Sequence, residues 1–518
     1  MRYPIGIQTF ETLREGGYVY VDKTDLVYQL AQEHVCFLSR PRRFGKSLLL
    51  STLEAYFSGR KALFAGLKME GLEKDWEEYP VFRLDFSNGN FTRGKDRLND
   101  FIASYLSDWE QKYGKMENCE ILGRRFQYVL EQAFRQTGRK AVVLIDEYDK
   151  PLLDALGEET ELENRAILKS FYSTFKAADA QLRFVMLTGV TKFSQITVFS
   201  GFNQPKDISL DERYDAICGI TEEELHRVFA EPIARMAARM GVTVDAMKDL
   251  LKKQYDGYHF SAALLDIYNP FSIINAFDAQ RIYSYWYESG TPTYLAKLLD
   301  GHNINLQKLI GQPYEAQYFM DYRADAEDPL AMLYQSGYLT IKEYHPRTWR
   351  YLLDFPNDEV RKGFIALTAN GYFKKREVET VNWIGDLSEM LYRGDLESVR
   401  EAYTSFLASI PYEANKDVRA LDFETHYQYT FYLINRLLSC YTTLIEKQNS
   451  KGRADIIIES VNDVYIFEFK LDGSAEEALR QIEEKQYALP YLTDTRRLHR
   501  IGVNISSQTR TVDEWKES

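Results

Sequence analysis

The chain has 518 residues, which at roughly 150 per domain implies about three domains and more than one core. Its 64 Lys and Arg against 77 Asp and Glu leave a formal net charge of −13, which excludes a protein that coats nucleic acid by bulk charge. A hydrophobic fraction of 45% with 14% aromatics excludes a disordered chain, and no apolar run approaches the ~18 residues of a membrane span, so no membrane partner is expected. The amino-terminal segment lacks a charged start followed by an apolar stretch, and the four cysteines (Cys36, Cys119, Cys218, Cys440) form no CxxC. That argues against secretion, a disulfide scaffold or a structural zinc site, and fits a reducing cytoplasm.

In chain order, the first ~210 residues alternate short apolar β-branched runs with helix-period stretches. Residues 35–38, 81–84, 141–145 and 183–187 read as buried strands, and 48–56, 94–113 and 164–178 as helices. Such alternation predicts an α/β fold with a mostly parallel sheet under helices. From 221 to 300 the pattern turns helical, opening with Thr221 as a cap and Glu224 three residues on, a capping box. The stretch to ~410 is mixed and rich in Tyr, with local basic residues over 347–376. Beyond it come a helix at 424–438, strands at 454–459 and 464–470, and a helix at 474–487.

After the first strand comes Ser39-Arg40-Pro41-Arg42-Arg43-Phe44-Gly45-Lys46-Ser47-Leu48. A turn ending in Gly-Lys-Ser that opens a helix is the core of a P-loop, whose backbone N–H groups and helix N-terminus cradle phosphates. Lys46 is expected to reach the β- and γ-phosphates and Ser47 to hold Mg²⁺. The full pattern needs Gly five residues before Gly45, where this chain has Arg40 ahead of a proline, so the loop must enter differently.

One hundred positions after Lys46, an apolar strand ends in Asp146-Glu147, the Walker B arrangement. Asp146 is expected to order the Mg²⁺ shell beside Ser47, and Glu147 to polarise the attacking water. Thr188, at the end of the next apolar strand, is placed either to sense the γ-phosphate or simply to cap its strand. Arg42, Arg43, Lys192 and Arg213 are all candidate charge stabilisers, and the sequence does not choose among them.

These residues carry a resemblance. The segments YPIGIQTFETL, YVYVDKTDLV, RPRRFGKSLL, VVLIDEYDKPL and LTGVTKFS resemble the AAA-ATPase-like family, over roughly residues 3–210. The resemblance implies ATP as cofactor, held by Arg42, Arg43, Phe44, Gly45, Lys46, Ser47, Leu48, Asp146 and Thr188, and it makes Arg40 a habit of the family.

Near the end, Asp455, Ile457 and Glu459 share one strand face by period two, and Ile466, Glu468 and Lys470 share the face of the next. A turn centred between Val461 and Asn462 places Asp455 opposite Glu468, their Cβ atoms about 5 Å apart. Two facing carboxylates repel unless a cation lies between them, and a hard divalent ion such as Mg²⁺ suits oxygen ligands. Lys470 projects to the same spot, where it can orient the metal-bound water or stabilise phosphorane-like charge. Glu424 is a further metal-shell candidate and Glu446 a weaker one; Gln481 and Lys485, four apart on one helical face, are candidates for the substrate backbone. The bland alternative is the solvent face of a hairpin. The set Glu424, Asp455, Glu468, Lys470, Gln481 and Lys485 resembles the PD-(D/E)XK nuclease superfamily over about 411–495, in the branch fused behind AAA-ATPase-like domains.

The two resemblances imply an AAA-ATPase-like domain at 1–215, a helical lid at 216–300, a winged-helix-like region at 301–410 and a restriction-endonuclease-like α/β domain at 411–518. Tyr-rich runs such as 255–260 and 268–277 read mainly as core, and His259 and His426 as ordinary polar residues. The expected function is an ATPase whose nucleotide state gates a Mg²⁺-dependent DNA nuclease. The alternative is a nucleotide-switched regulatory or DNA-binding protein that does not cut. Nothing in the sequence calls for an oligomer.

Overall fold

The computed structural model describes residues 1–92, 96–193, 205–288, 309–322, 329–373, 377–409, 430, 433–434, 436–438, 456–460 and 462–518. The chain divides into two compact units, Met1–Leu298 with Lys308–Val360, and Leu299–Gln307 with Arg361–Ser518.

The first unit is organised around strands β1 (Val35–Ser39), β2 (Val81–Asp85), β3 (Ala141–Asp146), β4 (Leu182–Gly189) and β5 (Lys206–Asp207). All pairings are parallel, in the order β2-β3-β4-β1-β5, so the strand bearing Asp146 is separated from the one bearing the phosphate loop by β4. Every residue of β3 is buried, as both faces of a helix-covered parallel sheet require. The four long strands and the helices Lys46–Phe57, Asp96–Tyr113 and Glu159–Ala177 lie where the sequence patterning places them. A further helix, Leu122–Thr137, escapes that patterning because Ile121 stands at its N-cap and no side chain caps it. Its Phe126 joins the aromatic core, stacking on Trp109 and Phe171 with centroids 5.2 and 5.3 Å away.

The Thr221–Glu224 capping box is present and opens a helical region clamped by the short antiparallel pair β6 (Ile220–Thr221) and β7 (Ile267–Tyr268). Next, β8 (Pro313–Glu315), the helices Ala316–Met320 and Leu330–Gln335, β9 (Thr340–His345) and β10 (Arg350–Asp354) form a sheet of order β8-β10-β9. The order is thus strand, two helices, then the antiparallel hairpin β9–β10.

The stretch from ~300 to ~410 is mixed, as expected: the strands β8, β9 and β10 precede helices that include, in the second unit, Glu377–Arg393 and Leu396–Ala408. They precede a sheet of order β11-β12-β13-β14, with β11 (Ile456–Glu459), β12 (Asp463–Leu471), β13 (Arg497–Ile505) and β14 (Val512–Glu517). The helix Ala475–Glu484 links the parallel pair β12 and β13 and packs Ile482 against Ile457, Val464 and Ile466. Gly502 permits that approach, because a Cβ there would lie 2.2 Å from the Ala475 carbonyl oxygen. Sequence patterning overlooks β13 and β14: β13 ends in five consecutive buried residues and β14 is largely exposed, so neither alternates. No helix among the described residues is long and apolar enough to cross a membrane.

Candidate functional sites

The phosphate loop leaves β1 through a buried arginine. Arg40 is 1% exposed, and its guanidinium stacks 4.0 Å over Phe260 while donating to the carbonyls of Ser209 (2.8 Å) and Tyr214 (3.3 Å). This is how the loop enters without glycine: the side chain turns inward and ties the loop to the segment after β5. Phe44 is also buried, edge-on to Tyr258 and Phe260. The Trp286 indole N–H donates to the Arg42 carbonyl, and Arg43 lies over Phe271. The Tyr-rich runs are therefore core, as expected, but a core that grips the loop.

Arg43 (φ 66°) and Gly45 (φ 93°) adopt left-handed backbone, which turns successive N–H groups toward one concavity. Lys46 opens the following helix, 7% exposed, and its ammonium donates to the carbonyls of Arg40 (2.9 Å) and Pro41 (3.0 Å). Burial pushes its pKa down, and the carboxylates of Glu147, Asp146 and Asp149 oppose that shift. Lys46 and the end of β3 thus share one electrostatic site.

Asp146 is 1% exposed; its Oδ1 accepts from the Thr188 hydroxyl at 2.7 Å, while its buried Oδ2 has no hydrogen-bond partner. A buried, unbonded carboxylate oxygen in the electrostatic site of Lys46, whose chain neighbour Ser47 is half-buried, is a fit for a hard cation. Thr188, fully buried, orients that carboxylate. Glu147 takes φ 49°, and burial raises its pKa, with Lys46 the main opposing influence. Asp149 draws no attention from the sequence, yet it is buried and accepts from the N–H groups of Val190 and Thr191 and from the Thr191 hydroxyl, pinning the end of β4. The only sequence signal for it is its place three residues past Asp146.

Among the four candidate charge stabilisers, Lys192 pairs with Asp207 (2.9 Å) and Asp321 (3.3 Å), and Arg213 is paired with Asp211 at 2.5 Å. Arg42 is exposed, has no ion pair among the described residues, and its charge reaches Glu147. Beside the loop, Gly45, Leu48, Val21, Ile220, Pro270 and Ile274 line an apolar pocket, with Lys23 on its wall paired to Glu224. Four separate segments of the chain build that pocket, so no local motif announces it.

Arg40→Gly restores the common loop pattern but strips a buried anchor and removes the guanidinium donors to the carbonyls of Ser39, Ser209 and Tyr214. It is expected to lower the stability of the first unit by about 2–4 kcal/mol. Calorimetry should show that unit's transition moving down; an unmoved transition would reject the anchoring role.

In the second unit, β11 and β12 pair with Ile456 opposite Phe467 and Glu459 opposite Val464, the register that the expected turn dictates. Asp455, Glu424 and Glu446 lie outside the described residues. Glu468 is 2% exposed on the face that also carries Val464 and Ile466. The Gln481 amide joins it to Lys470: its Nε2 donates to Glu468 Oε1, and its Oε1 accepts from Lys470 Nζ at 2.5 Å. Lys470 Nζ stands 3.8 Å from Glu468 Oε1. Gln481 thus bridges the acid and the lysine, while Lys485 is exposed at the end of its helix. An acid buried to this degree is not the solvent face of a hairpin.

Comparison with known proteins finds a family match over each of the two regions. Residues 4–199 match the family model described as "Predicted AAA-ATPase", and residues 422–515 match that of the PD-(D/E)XK nuclease superfamily. Both families are typically enzymatic. The chain is 35% identical over 519 aligned positions, 99% of its own length and 98% of the other's, to the "Uncharacterized protein in vnfD 5'region" of Azotobacter chroococcum mcd 1. The chain therefore belongs to the AAA-ATPase-like family, and within it to members that carry a terminal domain of the PD-(D/E)XK nuclease superfamily.

Proposed function

We propose that this protein binds and hydrolyses ATP and that its nucleotide state gates a Mg²⁺-dependent nuclease that cleaves DNA, acting in the cytoplasm. The observation that carries the reading is the buried Glu468, bridged by Gln481 to Lys470, in the same chain as a Gly-Lys-Ser phosphate loop. In the first unit, the purine lies in the apolar pocket beside Gly45 and Leu48, and the loop N–H groups hold the phosphates. Lys46 exchanges its carbonyl partners for phosphate oxygens. Ser47 and the free Asp146 Oδ2 hold Mg²⁺, which supplies charge neutralisation when bound. Glu147 accepts the proton of the attacking water, and Arg42 is the available cation for the developing charge.

In the second unit, Asp455 and Glu468, with Glu424, hold the metal; Lys470 meets the charge that builds on the phosphate, and Gln481 fixes the distance between acid and lysine. Lys485 meets the DNA backbone.

The test is a cleavage assay on plasmid and single-stranded DNA across Mg²⁺, Mn²⁺, ATP and a non-hydrolysable ATP analogue. Cleavage is expected with divalent metal only, and its rate should differ by about tenfold or more between nucleotide states, a coupling of about 1.4 kcal/mol. Wild-type protein that binds DNA and ATP but never cuts would replace this reading with the nucleotide-switched binder.

A further inference from the structure

We propose that the tip of the β9–β10 hairpin is a DNA-contacting wing, in which Trp349 stacks on a base and Arg347 and Arg350 take the flanking phosphates. The inference rests on the nuclease reading above, since it names how the substrate is gripped. Trp349 is 75% exposed, the most exposed large hydrophobic side chain among the described residues. It sits at φ 54°, in the left-handed region where a bulky residue pays a steric penalty that glycine does not. The turn is tight: the N–H groups of Thr348 and Trp349 both donate to the His345 carbonyl, at 3.2 and 2.8 Å. A strained, solvent-facing indole at a hairpin tip has no packing reason to be there, and strain of this kind marks a contact surface.

The charge around it is matched to a polyanion. The tip reads His345-Pro346-Arg347-Thr348-Trp349-Arg350, two arginines and no acid, in a chain of net charge −13. Both arginines are exposed and form no ion pair among the described residues; the acids around the tip are Glu343, 3.9 Å from His345, and Glu315, the cross-strand partner of Arg350 on β8, and neither is ion-paired to an arginine of the tip. Aromatic stacking flanked by arginine is how sequence-tolerant proteins hold nucleic acid. The hairpin is stiffened behind the tip by the cross-strand pair Tyr344 and Tyr351, centroids 4.7 Å apart, which rests in turn on Phe319. The helix Leu330–Gln335, which precedes β9, cannot take the groove-reading role, because all its residues but Tyr334 are buried and Gln335 is bonded to Lys192, Phe319 and Met320. The hairpin tip is where exposed aromatic and basic side chains stand together in this region, since the helix Ala316–Met320 exposes Tyr318 with no basic residue of its own.

The experiment measures binding of the full chain to fluorescein-labelled 20-nucleotide single- and double-stranded DNA by anisotropy, with metal chelated, over a salt series. Trp349→Ala is expected to weaken binding about five- to fiftyfold. Arg347→Ala with Arg350→Ala should reduce the slope of log affinity against log salt by about 1.5–2. Trp349→Gly relieves the backbone and so should bind DNA as poorly as Trp349→Ala without a lower unfolding temperature, while labelled-ATP affinity stays as in the wild type. If wild-type protein binds and cuts DNA and these variants match it in affinity and salt slope, the wing is wrong and the nuclease reading survives. Wild-type protein that binds no DNA would remove both.

Discussion

Lys46→Ala raises the dissociation constant for ATP by roughly a hundredfold or more. The ammonium is the cation that the carboxylates of Glu147, Asp146 and Asp149 face, and it is 7% exposed. Removing it leaves three acids around the place where a triphosphate must arrive, so attraction becomes repulsion in a poorly solvated site. Losing one partner of a buried charge set costs about 3–5 kcal/mol, which corresponds to roughly two to three and a half decades in affinity. The fold should survive, because the hydrogen bonds lost are two to loop carbonyls that lie at a ligand site. Titration of a fluorescent ATP analogue, with circular dichroism as the folding control, measures this. Unchanged affinity in a folded variant would detach the loop from nucleotide binding.

How much of this was legible beforehand differs from one site to the other. Around the phosphate loop, β1 and β3 announce themselves by four or more consecutive apolar residues; Asp146 ends β3, and Lys46 opens the helix that follows β1 across the loop. What the sequence hides there is non-local. Arg40 looks like damage to a motif until Phe260 and the Ser209 and Tyr214 carbonyls are seen around it. The apolar pocket draws on Val21, Ile220 and Pro270, which no window of residues unites. Thr188 is legible as a polar residue at a strand end, but only the structure gives it Asp146 as its partner. In the second unit, period-two alternation finds Glu468 and Lys470 on one face of β12 and the correct register with β11. Helical spacing pairs Gln481 with Lys485 as substrate contacts. Gln481 instead faces inward, because Gly502 lets its helix settle close on the sheet. Periodicity tells which face a residue is on, and packing distance then decides what it meets.

Glu468→Gln should reduce metal-dependent DNA cleavage by at least about a thousandfold while leaving ATP affinity at the wild-type value. The side chain is 2% exposed, on the face of β12 that carries the core residues Val464 and Ile466, and burial of that degree does not favour a charge. A carboxylate kept there needs compensation, and the Gln481 amide with Lys470 at 3.8 Å supplies part of it. Glutamine keeps the shape and removes the charge, so a site built for a divalent cation loses a ligand while the core loses nothing. The unfolding temperature of the second unit should therefore stay level or rise. Gln481→Ala, which frees both neighbours without touching either, should cost about 10–100-fold in cleavage, the usual size of an effect transmitted through an orienting residue. These two variants separate a catalytic centre from a structural one. A structural acid would lose stability when neutralised and leave cutting alone; a metal ligand does the reverse. If Glu468→Gln cuts at the wild-type rate, Glu468 is a buried anchor of β12 and the cleavage chemistry lies elsewhere.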